Sequence, residues 1–530
     1  MMQRDKNLQT LADDSILWDI LIIGGGATGI GAAVDAASRG YKVALLEQSD
    51  FTKATSSRST KLVHGGVRYL AQGDVGLVVE ALRERGYMRK NAPHLVKDQR
   101  FIIGSYKWWE KPFYTIGLIM YDILAGKRGL GRSLALRKET VINEIPQIQT
   151  KGLTGGIVYH DGQFDDSRMA INLLQTAEEQ GAVVVNYIKV NKLLKDNSGK
   201  IVGLQALDVI DSKTFQLHGK AVINATGIFV DEIMQMDMPD KNNIVRPSQG
   251  IHLVVDKSFL GGDTAIMIPK TNDGRVMFGV PWHDKVVLGT TDTPLNEFIL
   301  EPEALEEEID FILKTTGNYL KKKPQREDVL SVFAGLRPLA APKKSSDEKK
   351  TKEISRSHKI IVSRNGLLTI TGGKWTTYRD MAEDIINKAI SVANIPFRKC
   401  ITRDLLIHGY KKDVDRSSFQ YVYGTDYKKI MDLQNEKPEW GNLLHPNYEY
   451  SEAGVIWAIR EEMAMTIEDV LARRLRILFL DARAAIDMAP KVASLMAKEM
   501  NKNTEWENDQ IKNFILLAQN YLLVPYKQNF

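Results

Sequence analysis

The sequence predicts an α/β fold of two or more domains that opens on a parallel-sheet unit, and three observations predict it. Asp19-Ile-Leu-Ile-Ile23 is a short apolar run rich in β-branched residues, the pattern of a strand buried on both faces. It leads directly into the glycine-rich Gly24-Gly-Gly-Ala-Thr-Gly29. The chain has 530 residues, too many for one ordinary core.

The elements after the glycines follow in register. Ile30, Ala33, Val34 and Ala37 recur at helical spacing, and Gly40 ends that helix. Tyr41-Lys-Val-Ala-Leu-Leu46 is a second strand, closed by Glu47. Gly24, Gly26 and Gly29 therefore hold the G-x-G-x-x-G spacing of a Rossmann dinucleotide site, with Thr28 inside it. The first glycine makes the tight turn, the second admits a pyrophosphate, and the third lets the helix pack close to the strand. The helix start offers N–H groups and a positive dipole end to phosphates. Glu47 suits the hydroxyls of an adenosine ribose. These features alone do not separate FAD from NAD.

Three further segments favour the flavin. Thr55-Ser-Ser-Arg-Ser-Thr-Lys-Leu-Val-His-Gly-Gly-Val-Arg-Tyr69 is dense in hydroxyls and glycines. It suits a second phosphate and a ribityl chain, and Gly65 and Gly66 leave room for a flat ring. Lys220-Ala-Val-Ile-Asn-Ala-Thr-Gly227 is a strand ending in a turn that can pass close to a dinucleotide. Leu367-Leu-Thr-Ile-Thr-Gly-Gly-Lys-Trp-Thr-Thr-Tyr-Arg379 reads as strand, turn and helix start, a far return that NAD domains do not need.

These blocks, with Gly289-Thr-Thr-Asp292, Gly335-Leu-Arg-Pro-Leu339 and Ile459–Arg474, resemble the FAD-dependent, respiratory glycerol-3-phosphate dehydrogenase family. The resemblance implies a glutathione-reductase-type FAD-binding Rossmann domain from residues 15–75, 155–240 and 355–395. It implies a mixed-sheet substrate domain from 76–154 and 241–354, and a C-terminal helical domain over 396–530. The short β-type runs 250–255, 275–280 and 285–289 support the interruption. Helical periodicity covers 451–500, and Thr466-Ile-Glu-Asp469 is a capping-box start. Pro342–Lys359 reads as a solvated loop.

By the same resemblance the FAD contacts are Gly24, Gly26, Thr28, Gly29, Glu47, Thr55, Ser56, Ser57, Ser59, Lys61, Leu62, His64, Gly65, Gly66, Val190, Ala225, Thr226, Gly227, Gly335, Gly373, Lys374 and Thr376. Arg68, Tyr69, Arg337 and Arg356 would surround the substrate, chiefly its phosphate, and Lys374 and His252 would lie near the reacting carbon. The planar fork of arginine suits a phosphate. Thr291 either bonds substrate or shapes a turn, and His252 is either the proton acceptor or a core histidine. Arg337 is the alternative way to acidify the hydroxyl. No metal site is expected.

The implied reaction is oxidation of glycerol 3-phosphate to dihydroxyacetone phosphate by hydride transfer to FAD, with electrons passed to a membrane quinone. The alternatives are an oxidase that reduces dioxygen, and a non-catalytic protein on the same fold. Net charge is only +5, which fits an anionic substrate or membrane surface and gives no reason to expect nucleic acid. The one cysteine, Cys400, excludes an intrachain disulfide and reads as passive, in keeping with a cytoplasmic setting. No segment reads as a transmembrane helix, and Asp13, Asp14 and Asp19 stand where a signal peptide would be basic and then apolar. Tyr106–Tyr121, with two tryptophans and two lysines beside an apolar stretch, suits either a membrane interface or a buried helix. Lys127, Arg128 and Arg132 would help at an anionic surface. The expected place is the inner face of the cell membrane, with a homodimer compatible.

Overall fold

The computed structural model describes residues 2–71, 73–271, 274–340 and 358–526. Two large sheets carry the molecule. The first takes its strands from Leu17–Ile23, Val43–Leu46, Val183–Val185, Thr214–Asn224 and Leu367–Thr371, all parallel to their neighbours in the order 367, 214, 17, 43, 183. Such a sheet needs both faces covered, so its strands are apolar without alternation. Ile20, Leu21 and Ile22 are indeed all fully buried.

The helix Ala27–Ser38 covers one face and is itself covered by the helix Tyr378–Ala393. Ile30, Ala33, Val34 and Ala37, the expected helical set, are buried. Gly31 is where the two helices close: a Cβ there would stand 2.8 Å from the Tyr378 ring. An antiparallel meander of Ile188–Lys195, Ile201–Asp208 and the long strand Thr214–Asn224 completes the unit.

The second sheet is mixed. It runs through Thr293–Pro294, Val245–Asp256, Lys285–Gly289, Met277–Trp282, Ala265–Ile268, Lys97–Ser105, Gly155–Gln163 and Leu62–Val63. Val329–Ala340 pairs along the whole of Val245–Asp256, bringing His252 opposite Phe333 and Ser248 opposite Arg337. Two strands expected in the nucleotide-binding part, Leu62–Val63 and Gly155–Gln163, lie in this sheet. Their apolar patterns do not specify which sheet edge they join.

The C-terminal part is helical, with helices at Tyr427–Glu436, Glu452–Glu462, Ala482–Glu499 and Thr504–Gln519 and a small hairpin at 443–451. The cap at Thr466 is built as expected: the Asp469 N–H donates to Thr466 Oγ1 at 3.2 Å, and the Thr466 N–H donates to the Asp469 carboxylate at 3.1 Å.

A buried lattice of charge ties this part to the nucleotide-binding part. Asp50, fully buried, accepts from Arg474 at 2.6 and 2.9 Å and from Arg473. Arg168 forms a bidentate pair with Glu462, both bonds 2.8 Å. Arg476 donates to Asp166 at 2.8 Å. The chain between Asp50 and Asp166's partner Lys61 is thereby anchored at both ends, and that segment lines the site.

Candidate active site

One extended cavity runs from the Gly24 turn to the mixed sheet, and segments distant in sequence line it. At one end are Gly24, Gly26, Thr28 and Glu47; in the middle Thr55, Ser56, Ser59, Ala225, Thr226 and Gly227; at the other end Leu62, His64, Tyr69, His252, Gly335, Arg337, Gly373, Lys374 and Thr376. Val190 is also in the wall.

The first end is shaped for a dinucleotide. Gly24 has φ +108°, and a Cβ on it would stand 2.7 Å from the Ala225 carbonyl oxygen. The Glu47 carboxylate accepts from the Gly25 N–H at 2.7 Å and the Ser49 N–H at 2.9 Å. Burial, outweighing those two bonds, raises its pKa. The helix N-terminus at Ala27 faces this end, and Ser56 Oγ accepts the Ala27 N–H at 3.0 Å. Backbone donors for phosphate and an acceptor for ribose hydroxyls thus stand in one groove, which fits FAD. Changing Gly24→Ala forces a side chain into left-handed backbone and into the Ala225 carbonyl. The purified variant is expected to be colourless, with bound flavin read from its visible absorbance.

The far end joins the two sheets. The Leu367–Thr371 strand turns at Gly372 and Gly373, with φ +80° and +76°, into a short 3₁₀ turn and the helix from Tyr378. Trp375 Nε1 donates to the Ser56 carbonyl at 2.8 Å, and the His64 N–H donates to Thr376 Oγ1 at 3.2 Å. Lys374 Nζ lies 3.9 Å from the centre of the Tyr69 ring, a cation–π distance.

Arg337 reaches in from the strand Val329–Ala340. Its guanidinium donates to Thr290 Oγ1 and the Thr291 carbonyl, both at 3.1 Å, and pairs with Asp292 at 3.4 Å. Gly250 makes the room, since a Cβ there would come within 2.2 Å of the guanidinium. His252, from the facing strand, is buried and stacks on Phe333 with ring centres 4.9 Å apart. Its Nε2 is 2.9 Å from Thr60 Oγ1. Burial, then the charges of Lys61 and Arg337, push its pKa well below the usual histidine range, which favours the uncharged ring.

Six expected site residues lie outside the cavity wall, each for a visible reason. Gly29 packs the helix on the turn, where a Cβ would be 1.9 Å from the Gly24 carbonyl oxygen. Ser57 is buried and bonds the Ala54 carbonyl. Lys61 is turned away from the cavity into a buried box: Nζ donates to Asp166 and to the Ser57 carbonyl, both at 2.7 Å, among the rings of Trp282, Phe333 and Phe479. Gly65 and Gly66 make space for tyrosines. A Cβ on Gly65 would meet the Tyr121 hydroxyl at 2.4 Å, and one on Gly66 the Tyr69 ring at 2.5 Å. Thr291 is buried and donates to Glu308 at 2.7 Å, so it shapes the turn that receives Arg337. Arg68 lies on the short helix Val67–Ala71, and Arg356 lies outside the described residues.

Residues not singled out in the sequence also line the cavity, among them Arg58, Thr60, Gly250 and Trp375. Thr60 sits inside the hydroxyl-rich block, but nothing in its neighbours marks it off from the other hydroxyls.

Comparison with known proteins agrees with this geometry. The family described as FAD dependent oxidoreductase matches residues 19–379, and the C-terminal domain of alpha-glycerophosphate oxidase matches 368–509. The mitochondrial glycerol-3-phosphate dehydrogenase of Homo sapiens is 39% identical over 96% of this chain and 74% of its own length. The Saccharomyces cerevisiae protein of that name is 37% identical over 94% of this chain and 89% of its own. The chain belongs to the FAD-dependent glycerol-3-phosphate dehydrogenase family. A solved glycerol-3-phosphate dehydrogenase from Bacillus halodurans, complexed with FAD, superposes over 99% of both chains with a TM-score of 0.79 at 27% identity. The Mycoplasma pneumoniae L-alpha-glycerophosphate oxidase, at 17% identity and a TM-score of 0.56 over 74% of this chain, shares the fold. The cofactor of the family is FAD, and the cradle described above is where it fits.

Proposed function

We propose that this chain oxidises glycerol 3-phosphate to dihydroxyacetone phosphate at the Arg337–His252–Lys374 end of the cavity and passes the electrons to a membrane quinone. The observation that carries the reading is that a buried imidazole, Arg337 and Lys374 line the far end of one cavity whose other end is a dinucleotide groove. Bound FAD supplies the hydride acceptor. Arg337 holds the phosphate, and Lys374 stands near the reacting carbon and orients C2. With its pKa pushed down by burial, His252 favours the accepting form. Weak basicity suffices, because the hydroxyl proton becomes strongly acidic as hydride leaves C2. Steady-state turnover with a water-soluble quinone, run beside oxygen consumption, tests the acceptor. Quinone reduction without peroxide is expected; peroxide formation at a matching rate identifies an oxidase.

The surface supports a membrane partner. Helix Glu110–Ala125 buries only Leu118, Tyr121 and Ala125. Trp109, Phe113, Ile116, Met120 and Ile123 share its other face and are exposed, Ile123 to 71%. Trp108 beside it is 86% exposed. Among the described residues no helix is long and apolar enough to cross a membrane. An apolar stripe next to Lys127, Arg128 and Arg132 suits a helix lying in the interface of an anionic bilayer. The triple change Phe113→Ser, Ile116→Ser and Ile123→Ser is expected to cut co-sedimentation with anionic lipid vesicles at least tenfold and leave turnover with soluble quinone intact. Undiminished sedimentation contradicts this face as the contact.

A further inference from the structure

We propose that Thr60 is the group that meets the substrate hydroxyl and relays its proton to His252. The proposal rests on the reading of His252 as acceptor and names the path into it. His252 has two ring nitrogens, and only one of them has a partner that also lines the cavity. Nδ1 is buried from solvent and has no hydrogen-bond partner among the described residues. Nε2 is covered by Thr60 Oγ1 at 2.9 Å. Thr60 lines the cavity beside His252 and its hydroxyl stands on Nε2, so a proton bound for that nitrogen passes through Thr60.

The threonine is held for this task from both sides. Ser59 donates its N–H at 3.1 Å and its hydroxyl at 2.7 Å to Asp166. Lys61 donates its N–H to Ser59 Oγ at 3.0 Å and its ammonium to Asp166 at 2.7 Å. Lys61 also holds a left-handed backbone, φ +63°, which aims the residue before it. Asp166 is fixed in turn by Arg476 from the C-terminal helical part. A hydroxyl fixed in this way needs little reorganisation to pass a proton.

The step balances. The C2 O–H bond breaks and its proton forms a new O–H bond on Thr60 Oγ1. The original Thr60 proton moves to His252 Nε2, which becomes N–H. The hydride, with both electrons, leaves C2 for the flavin, and the product is the ketone. Lys61 and Arg337, both close enough to disfavour an imidazolium, then drive the proton back out through Thr60. The relay requires the resting imidazole to carry its proton on Nδ1 and to accept at Nε2.

Thr60→Val keeps the shape and removes the hydroxyl, and Thr60→Ser restores it. The holoenzyme variants are compared by flavin content, substrate KM, kcat and the solvent isotope effect on kcat. Resting His252 is read by 15N NMR of histidine-labelled protein, assigned with His252→Asn. The expected result is an acceptor-type Nε2 in the wild-type protein. In Thr60→Val, kcat falls about 10²-fold while flavin content and KM hold, and Thr60→Ser retains most turnover. A protonated Nε2 in the resting wild-type protein overturns the relay, as does full turnover in Thr60→Val. If His252→Asn is inactive while Thr60→Val is active, the relay fails and the acceptor role of His252 stands. If both are active, both fail.

Discussion

Asp50→Ala is expected to destabilise the protein by about 3–5 kcal/mol, because it removes the buried carboxylate shared by two guanidinium groups and leaves Arg474 without its paired carboxylate, while Arg473 keeps Glu468 and Asp469. Asp50 is fully buried, and Arg473 and Arg474 both end on it. Burial alone would raise its pKa; the charges of Arg474 and Arg473 overcome burial and lower it to about 2. A carboxyl lowered in this way stabilises the fold above its unfolded value of about 3.9, and the contribution is lost as pH falls through about 2. Denaturant unfolding of the holoprotein at neutral pH measures the first effect. An acid titration of the wild-type protein should show stability falling below about pH 4. Asp50 lies between Gln48 and Thr52, which both line the cavity, so flavin release is expected to accompany unfolding of the variant. Unchanged stability would mean that the arginines find other partners.

His252→Asn is expected to lower kcat by about 10²–10⁴-fold with little change in flavin content. The pH profile is the sharper part of the test. An imidazole whose pKa is pushed well below the ordinary value of about 6.5 keeps its accepting form at all higher pH. Wild-type kcat at saturating substrate, where the free substrate phosphate's own second pKa of about 6 does not enter, should therefore show no acid limb near 6.5. A limb there, absent in His252→Asn, would show an ordinary exposed histidine and contradict the buried geometry.

Local features of this site were legible in the sequence, and features made by distant neighbours were not. The strand, turn, helix and acid of 19–47 are set by contacts within thirty residues or so, and the spacing of Gly24, Gly26 and Gly29 reports them directly. The Thr466 cap is legible for the same reason. Gly65 and Gly66 carry the same signal of a missing Cβ, but the space is filled by Tyr121 and Tyr69, and Tyr121 comes from a helix more than fifty residues away. Lys61 stands among hydroxyls in sequence and among Trp282, Phe333 and Phe479 in space. Thr291 looks like a substrate-binding hydroxyl until Glu308 is seen to accept from it. His252 is both of the things its neighbours allowed, a buried histidine packed on Phe333 and a member of the cavity wall.

The central claim is that this cavity oxidises glycerol 3-phosphate with its own flavin. The direct measurement is an anaerobic titration of the yellow holoprotein with glycerol 3-phosphate, with glycerol as the control that lacks the phosphate. The account predicts stoichiometric bleaching of the flavin absorbance by glycerol 3-phosphate, its loss in Arg337→Ala, and little change with glycerol. A flavin that stays oxidised under excess glycerol 3-phosphate while dithionite reduces it would contradict the account.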